Sequence, residues 1–419
     1  MGNVDARNEK KLKYRLKKYS DRLKGVVKLE ASKSESNRAL IINALEGNGS
    51  KLTHLSNARD TETMQALLQS SNKVLDVKDA GTTMRFLTAF LAITGEGQIL
   101  TGTDRMKKRP IGPLVDALTS IGADISYVEQ EGYPPLRIHK IKQQKSDHIK
   151  IPGNISSQYI SALMMIAPYL KRGLTIELTT EVFSRPYLEL TINLMKSFGV
   201  EVEFVKNKIY ITPQVYTSTA HAIEGDWSGA SYWYSFVALS EKKSALVLPR
   251  IRSYSSQGDR VISDIMYHMG VSSHYEFGRV KIVKRTEKEC ELTIDFRDCP
   301  DLAQTVMAAA AVTGVTLIMT GLESLKIKET DRVQAMKNEL AKLGADLTEN
   351  TDNWKMTPAE QLPASIEVET YEDHRMAMAF APLSQVMDVI IDDPDVVNKS
   401  YPGFWEEVKG LGITIEAIK

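Results

Sequence analysis

A repeat is the feature that most constrains the fold of this chain. Six times, an apolar run of helical length is followed by a short β-like run and then by an amphipathic helical run. The β-like runs are Lys51-Leu52-Thr53, Ile99-Leu100-Thr101, Thr175-Ile176-Glu177, Ala245-Leu246-Val247, Leu317-Ile318-Met319 and Val389-Ile390-Ile391. The centres of the last five lie 70 to 76 residues apart, whereas the first two are only 48 apart. A solenoid repeat is shorter, roughly 20–50 residues. A unit of this size instead implies globular lobes, and three units per lobe give domains of ordinary size. The natural break is near Glu224-Gly225-Asp226.

Apolar helical runs precede the strands: the residues after Ser36, then Thr83 to Ile93, Tyr159 to Ala167, Ala230 to Leu239, Leu302 to Val312, and Met376 to Leu383. A helix apolar on every face is normally buried. The helices after the strands are amphipathic, most clearly Tyr187 to Phe198 and Thr330 to Leu343, with apolar residues at spacings of three and four. Five of them end on an apolar-Gly-aliphatic triplet, at Gly122, Gly199, Gly270, Gly344 and Gly412, where glycine is the expected helix stop. The first unit lacks this stop after Leu68 and has little room for a hairpin, so it is expected to be trimmed.

Composition narrows the partners. Lys+Arg and Asp+Glu are balanced at 53 each, so bulk charge makes no case for nucleic acid or a membrane surface. No apolar run reaches ~18 residues, so no membrane span is expected. The N-terminus has no apolar signal core, and Ala6 breaks the myristoylation pattern that Met1-Gly2 would start. Two cysteines, Cys290 and Cys299, fit a reducing cytoplasm. Arg7 to Lys24 carries nine basic and two acidic side chains and reads as a solvated tail leading into an edge strand at Lys13-Tyr14-Arg15-Leu16.

The unusual residues collect where these helices begin. On the apolar helices they are Lys33-Ser34 with Arg38, Asp79-Ala80-Gly81-Thr82 with Arg85, Ser156-Ser157-Gln158, Pro300-Asp301 and Asp373-His374-Arg375. On the amphipathic helices they are Arg109-Pro110, Ser184-Arg185-Pro186-Tyr187, Lys328-Glu329-Thr330-Asp331-Arg332 and Lys399-Ser400-Tyr401-Pro402. The first turn of a helix has unpaired N–H groups and a partial positive charge. Cations and hydroxyls added there make an anion site. Several such ends suit a small, multiply anionic ligand carrying phosphates and carboxylates. Asp301 and Glu329, lying among cations, are placed to move protons. Each motif also has an ordinary reading: Ser156, Asp301 and Asp373 are good N-caps, and Lys328 to Arg332 could be a solvated first turn. There is no Walker A pattern, no dinucleotide glycine fingerprint and no zinc spacing, so no metal or cofactor is expected.

Taken together, Ser32-Lys33-Ser34-Glu35-Ser36-Asn37-Arg38-Ala39-Leu40, Ala80-Gly81-Thr82-Thr83-Met84-Arg85 and Arg105-Met106-Lys107-Lys108-Arg109-Pro110-Ile111-Gly112 resemble the EPSP synthase family, the 3-phosphoshikimate 1-carboxyvinyltransferases. Ser156-Ser157-Gln158, Glu224-Gly225-Asp226, Gln257-Gly258-Asp259, Lys328-Glu329-Thr330-Asp331-Arg332 and Asp373-His374-Arg375-Met376-Ala377-Met378 continue the pattern in order. The resemblance spans about residues 25 to 419.

It implies an α/β fold, a two-domain inside-out α/β barrel in which each domain has three pseudo-symmetric α/β units with buried helices. Domain I would comprise 1–31 with 226–419, and domain II 32–225. The reaction implied is transfer of the enolpyruvyl group of phosphoenolpyruvate to the 5-hydroxyl of shikimate 3-phosphate by addition and elimination, in a cytoplasmic monomer. By resemblance, Lys33, Ser34, Arg38, Ser156, Ser157, Gln158, Ser184, Tyr187, Asp301, Ser324 and Lys328 contact shikimate 3-phosphate. Lys33, Asp79, Gly81, Arg109, Gln158, Arg332, Arg375 and Lys399 hold phosphoenolpyruvate. Asp301 accepts the 5-hydroxyl proton, and Glu329 donates to C3 with Lys33 and His374 in support.

Ala31, Asp79 and Ser324 depart from the family's usual Gly, Asn and Asn. The sister transferase acting on UDP-N-acetylglucosamine generally has a reactive loop cysteine in its third unit, where this chain has none. A non-catalytic anion-binding scaffold is the other alternative, and Asp301, Glu329 and Lys33 argue against it.

Overall fold

The computed structural model describes residues 12–418, so the part of the basic segment before residue 12 lies outside the described residues. The chain forms two compact units. One contains the described residues up to Leu29, Trp227–Ser253 and those from Asp259 onward; the other contains Glu30–Asp226 and Tyr254–Gly258. The chain therefore passes between the units at Leu29/Glu30 and Asp226/Trp227, and again on either side of Tyr254–Gly258.

Among the described residues, five of the six sheets share one strand order. In one of them, Leu174–Leu178 has His148–Ile151 parallel on one side and Lys208–Ile211 antiparallel on the other, followed by Glu203–Val205. The parallel pair is joined through the buried helix Ser157–Ile166, as parallel strands require a crossover. The same order recurs around Glu96–Thr101, Ala245–Pro249, Thr316–Thr320 and Asp388–Asp392. The sixth sheet pairs only Ala220–Ala222 with Lys51–Thr53. This is the trimmed first unit: its second helix, Arg59–Leu68, ends on Gln69 in a right-handed conformation and runs directly toward Val74–Asp76. At the other five helix ends the glycines have φ between 81° and 110°, a range that disfavours any side chain.

Lys13–Leu16 is not an edge strand. It lies between Asp388–Asp392 and Ile415–Ile418, antiparallel to both, so its alternating charges are carried by an interior strand of a one-sided sheet. Only Leu16 of its four residues is fully buried. The charged side chains are accommodated by neighbours such as Glu367, which pairs with Lys13.

Within each unit the three apolar helices pack on one another. Lys33–Glu46, Gly81–Thr94 and Ser157–Ile166 do so in one, and Trp227–Leu239, Ala303–Thr313 and His374–Phe380 in the other. Ala308 to Ala311 have no exposed surface. Small side chains there let the helices approach closely. Among the described residues no helix is long and apolar enough to cross a membrane.

Candidate active site

Asp331 caps helix Arg332–Leu343 by accepting from the Gln334 N–H at 3.0 Å. Arg332 is therefore the first helical residue, at the positive end of the dipole, where a cation is disfavoured. Three carboxylates compensate. Nε donates to Asp373 Oδ2 at 2.7 Å, Nη1 to Asp301 Oδ1 at 3.1 Å and Nη2 to Glu329 Oε2 at 2.8 Å. The Arg332 side chain is only 2 % exposed.

Asp373 also caps helix His374–Phe380, accepting from the Arg375 N–H at 2.9 Å. Its Oδ1 lies 3.5 Å from His374 Nδ1. Arg375 donates through Nη2 to Asp301 Oδ2 at 2.7 Å and through Nη1 to the Asp301 carbonyl at 3.2 Å and the Tyr232 hydroxyl at 3.3 Å. Asp301, on the single turn Pro300–Leu302, is thus bridged by two guanidinium groups. Burial works against its charge, but Arg375, Lys328 and Arg332 outweigh it and hold the carboxyl well below the usual range. Lys328 follows the turn Glu323–Ile327, which also carries the half-buried Ser324. Burial lowers its pKa against the pull of Asp301. Lys399 Nζ, at the end of the turn Pro394–Lys399, lies 3.7 Å from Glu329 Oε1. Asp301, Lys328, Glu329, Arg332, His374, Arg375 and Lys399 therefore form one cluster in this unit.

The other unit gathers the remaining residues. Ser32 caps helix Lys33–Glu46 through the Glu35 N–H at 3.4 Å, leaving Lys33 as the first helical residue. Lys33 Nζ lies 3.3 Å from Asp60 Oδ2. Arg38 is buried and donates to Thr191 Oγ1 at 2.7 Å, the Ser34 carbonyl at 2.9 Å and Ser161 Oγ at 3.1 Å. Its guanidinium carbon is 5.9 Å from the Tyr187 ring centroid. Burial lowers its pKa to about 10, against the Tyr187 oxygen, so it remains a cation at neutral pH. Ser184 adopts a left-handed backbone, φ 57°, just before Arg185–Ser197, a conformation uncommon outside glycine.

Ser156 caps Ser157–Ile166. Gln158 Nε2 donates to Thr82 Oγ1 at 3.0 Å, tying that helix start to Gly81–Thr94. The N-cap of Gly81–Thr94 is Ala80, which offers no side-chain acceptor. A Cβ on Gly81 would lie 2.6 Å from Arg109 Nη1, so the guanidinium rests against the bare glycine. Arg85 has a structural part here: it donates to the Gly81 carbonyl at 3.0 Å and the Pro110 carbonyl at 3.3 Å. Asp79 Oδ2 pairs with Arg59 Nη2 at 2.9 Å.

Asp60 and Tyr232 were missed by sequence reasoning, which named Thr82 only as part of the run Asp79-Ala80-Gly81-Thr82 and gave it no role. Asp60 looks like any first-turn acid of a helix, and only the ion pair with Lys33 sets it apart. Asp373 reads as a cap, and its bond to Arg332, 41 residues away in sequence, has no local signal.

The EPSP synthase (3-phosphoshikimate 1-carboxyvinyltransferase) family profile matches residues 17–70 and 65–408. A 3-phosphoshikimate 1-carboxyvinyltransferase of Bacteroides fragilis (strain YCH46) is 45 % identical over 399 residues, covering 94 % of this chain and 97 % of that protein. One from Photobacterium damsela subsp. piscicida is 38 % identical over 421 residues, covering 93 % and 97 %. A solved EPSP synthase from Acinetobacter baumannii has a TM-score of 0.80 at 21 % identity, covering 97 % of this chain and all of that one, and supports the α/β fold.

Proposed function

Because this chain belongs to the EPSP synthase family, the 3-phosphoshikimate 1-carboxyvinyltransferases, we propose a division of labour among its residues for the reaction of that family. The enzyme transfers the enolpyruvyl group of phosphoenolpyruvate to the 5-hydroxyl of shikimate 3-phosphate, giving 5-O-(1-carboxyvinyl)-3-phosphoshikimate and phosphate in the shikimate pathway of aromatic amino acid biosynthesis.

The observation that carries the assignment is the sharing of Arg332 by Asp301, Glu329 and Asp373. It wires an acid–base pair to the cations that receive the substrate anions. Asp301 takes the 5-hydroxyl proton as the oxygen bonds to C2 of phosphoenolpyruvate, and the C2–C3 electron pair takes a proton at C3 from Glu329. In the second step the new methyl returns a proton to Glu329, the double bond re-forms and the C2–O bond to phosphate breaks. The departing phosphate carries away the proton that Asp301 accepted. With two guanidinium groups on it, Asp301 is a weak base. An incoming carboxylate or phosphate competes for Arg332 and Arg375, and as it wins, Asp301 loses the charges that hold its pKa down and becomes a better acceptor. The same competition loosens Glu329 from Arg332 and Lys399.

Phosphoenolpyruvate is assigned to Lys33, Gly81, Arg109, Gln158, Arg332, Arg375 and Lys399, with Asp79 beside it. Shikimate 3-phosphate is assigned to Lys33, Ser34, Arg38, Ser156, Ser157, Gln158, Ser184, Tyr187, Asp301, Ser324 and Lys328. Lys33 and His374 support the proton transfers. Arg38 gives one N–H from each nitrogen to a protein partner, which holds Ser34 and leaves one N–H on each of Nη1 and Nη2 for the substrate anion assigned to it. The fold is read as an inside-out α/β barrel in each of two domains, 1–31 with 226–419 and 32–225. The packing of three buried helices per unit supports this reading. The protein is proposed to act as a cytoplasmic monomer on these two small molecules, and its unpaired Cys290 and Cys299 are consistent with a reducing compartment.

The test is Asp301→Asn and Glu329→Gln. Each should bind shikimate 3-phosphate nearly as the parent does but turn over ~10²–10⁴-fold more slowly. Turnover within a few-fold of the parent would remove that residue from the chemistry.

A further inference from the structure

Thr370 to Asp373 is a tight turn in a conformation its own residues disfavour. The Asp373 N–H donates to the Thr370 carbonyl at 2.8 Å. The two residues between them, Tyr371 and Glu372, have φ of 54° and 55°. A turn with positive φ at both central positions selects Gly, Asn or Asp. Tyr and Glu lack the short polar side chain that can support such a backbone locally. A backbone held against its preference persists only where its surroundings enforce it, and such residues cluster at functional sites. This turn ends on Asp373, which accepts from Arg332 and caps the helix that carries Arg375.

One face of helix Arg332–Leu343 holds the segment at two points. Arg332 and Glu339 are almost two turns apart, so they project from the same side, about 10 Å from each other along the axis. Arg332 takes Asp373. Glu339, which has no exposed surface, accepts from the Tyr371 hydroxyl at 2.9 Å and from the Glu369 N–H at 3.3 Å. Lys342 Nζ balances its charge at 2.7 Å. The Tyr371 oxygen in turn accepts from Asn338 Nδ2 at 3.2 Å. Burial, with Glu339 beside it, pushes the Tyr371 phenol up to about 12 against the pull of Asn338, so it remains a donor at neutral pH. Thr370 is fixed separately, its N–H and Oγ1 donating to Asp392 Oδ1 at 2.8 and 3.0 Å. The Tyr371 hydroxyl acts on a strained residue itself.

We propose that Tyr371 is a positioning residue for the phosphoenolpyruvate site: its hydroxyl, anchored on Glu339, holds the Thr370–Asp373 turn in its left-handed form and so sets Asp373, Arg332 and Arg375. This rests on the assignment of Arg332 and Arg375 to the substrate anion. The left-handed turn is the binding-competent state, and apparent affinity for phosphoenolpyruvate falls in proportion as that state is depopulated.

Steady-state kinetics on the full chain, well below its melting temperature, tests it. Tyr371→Phe keeps the ring and removes the hydroxyl. A lost hydrogen bond to a charged group corresponds to about tenfold or more. KM for phosphoenolpyruvate should rise by about that factor, while kcat at saturation stays within about twofold of the parent. Tyr371→Ala and Tyr371→Gly both lose the ring and the hydroxyl, but only glycine adopts positive φ freely. KM of Tyr371→Gly should therefore lie about fivefold or more below that of Tyr371→Ala. A role in packing alone would lower the melting temperature of all three variants, leave KM at the parent value and make glycine no better than alanine. An unchanged KM in Tyr371→Phe, or equal KM in Tyr371→Ala and Tyr371→Gly, overturns the proposal. Arg375→Lys, which loses the planar fork of donors, separates the two levels. If it raises KM for phosphoenolpyruvate while Tyr371→Phe does not, only the role of Tyr371 falls. If Arg375→Lys leaves KM unchanged, the assignment of Arg375 to the substrate anion falls and takes the role of Tyr371 with it.

Discussion

The Arg332 guanidinium donates through Nε to Oδ2 of Asp373 at 2.7 Å, and Asp373 has no exposed surface. That carboxylate also caps the helix bearing His374 and Arg375. One buried acid therefore sets the position of both arginines that reach Asp301. Asp373→Ala should lower unfolding free energy by about 3–5 kcal/mol, because it strips a partner from a buried cation and removes a cap. Urea denaturation measures this directly. A loss below about 1 kcal/mol would mean that Asp301 and Glu329 suffice to hold Arg332.

Asp301 links the site to acid stability. Its pKa is depressed in the folded protein relative to the ordinary value near about 4 in an unfolded chain. The unfolded state then binds the proton more readily, so Asp301 contributes stability above that value and loses it as pH falls toward its native pKa. Asp301→Asn should be less stable than the parent at neutral pH, and the difference should narrow on acidification below about pH 4. Chemical denaturation at a series of pH values checks it. A difference that stays constant from neutral to acid would contradict the assigned ion pairs.

Gly81→Ala should disturb anion binding through Arg109. The new methyl group would fall 2.6 Å from Arg109 Nη1 and 2.9 Å from Arg85 Nη1. The Arg109 end can swing away, but Arg85 is tied to the Gly81 and Pro110 carbonyls. Loss of one charge-assisted bond corresponds to about tenfold or more. Glyphosate, an anionic inhibitor of the EPSP synthase family, is longer than phosphoenolpyruvate. Its inhibition constant should rise about tenfold or more, and KM for phosphoenolpyruvate by less. Equal rises, or none, would count against this placement.

The fold was legible where burial leaves a one-dimensional trace. Thr83 to Ile93 and Leu302 to Val312 are apolar on all sides, and both form buried helices. The glycine triplets mark helix ends because left-handed backbone disfavours other residues there. Lys13–Leu16 was misjudged as an edge because three of its four residues are polar or aromatic, a pattern an interior strand shares when one face is solvated. Candidate site residues were legible as cations at helix starts. Their partners were not. Asp60 and Tyr232 are ordinary residues in their local sequence, and their meaning lies in contacts such as Tyr232 with Arg375, 143 positions apart.

The most direct test of the central claim is phosphate release from phosphoenolpyruvate with each of two acceptors, followed alongside the mass of the product. With shikimate 3-phosphate the purified chain should release one phosphate per phosphoenolpyruvate consumed and form the carboxyvinyl ether, and Asp301→Asn should do so ~10²–10⁴-fold more slowly. UDP-N-acetylglucosamine should give no release. Release with UDP-N-acetylglucosamine, or none with shikimate 3-phosphate, would contradict the assigned reaction.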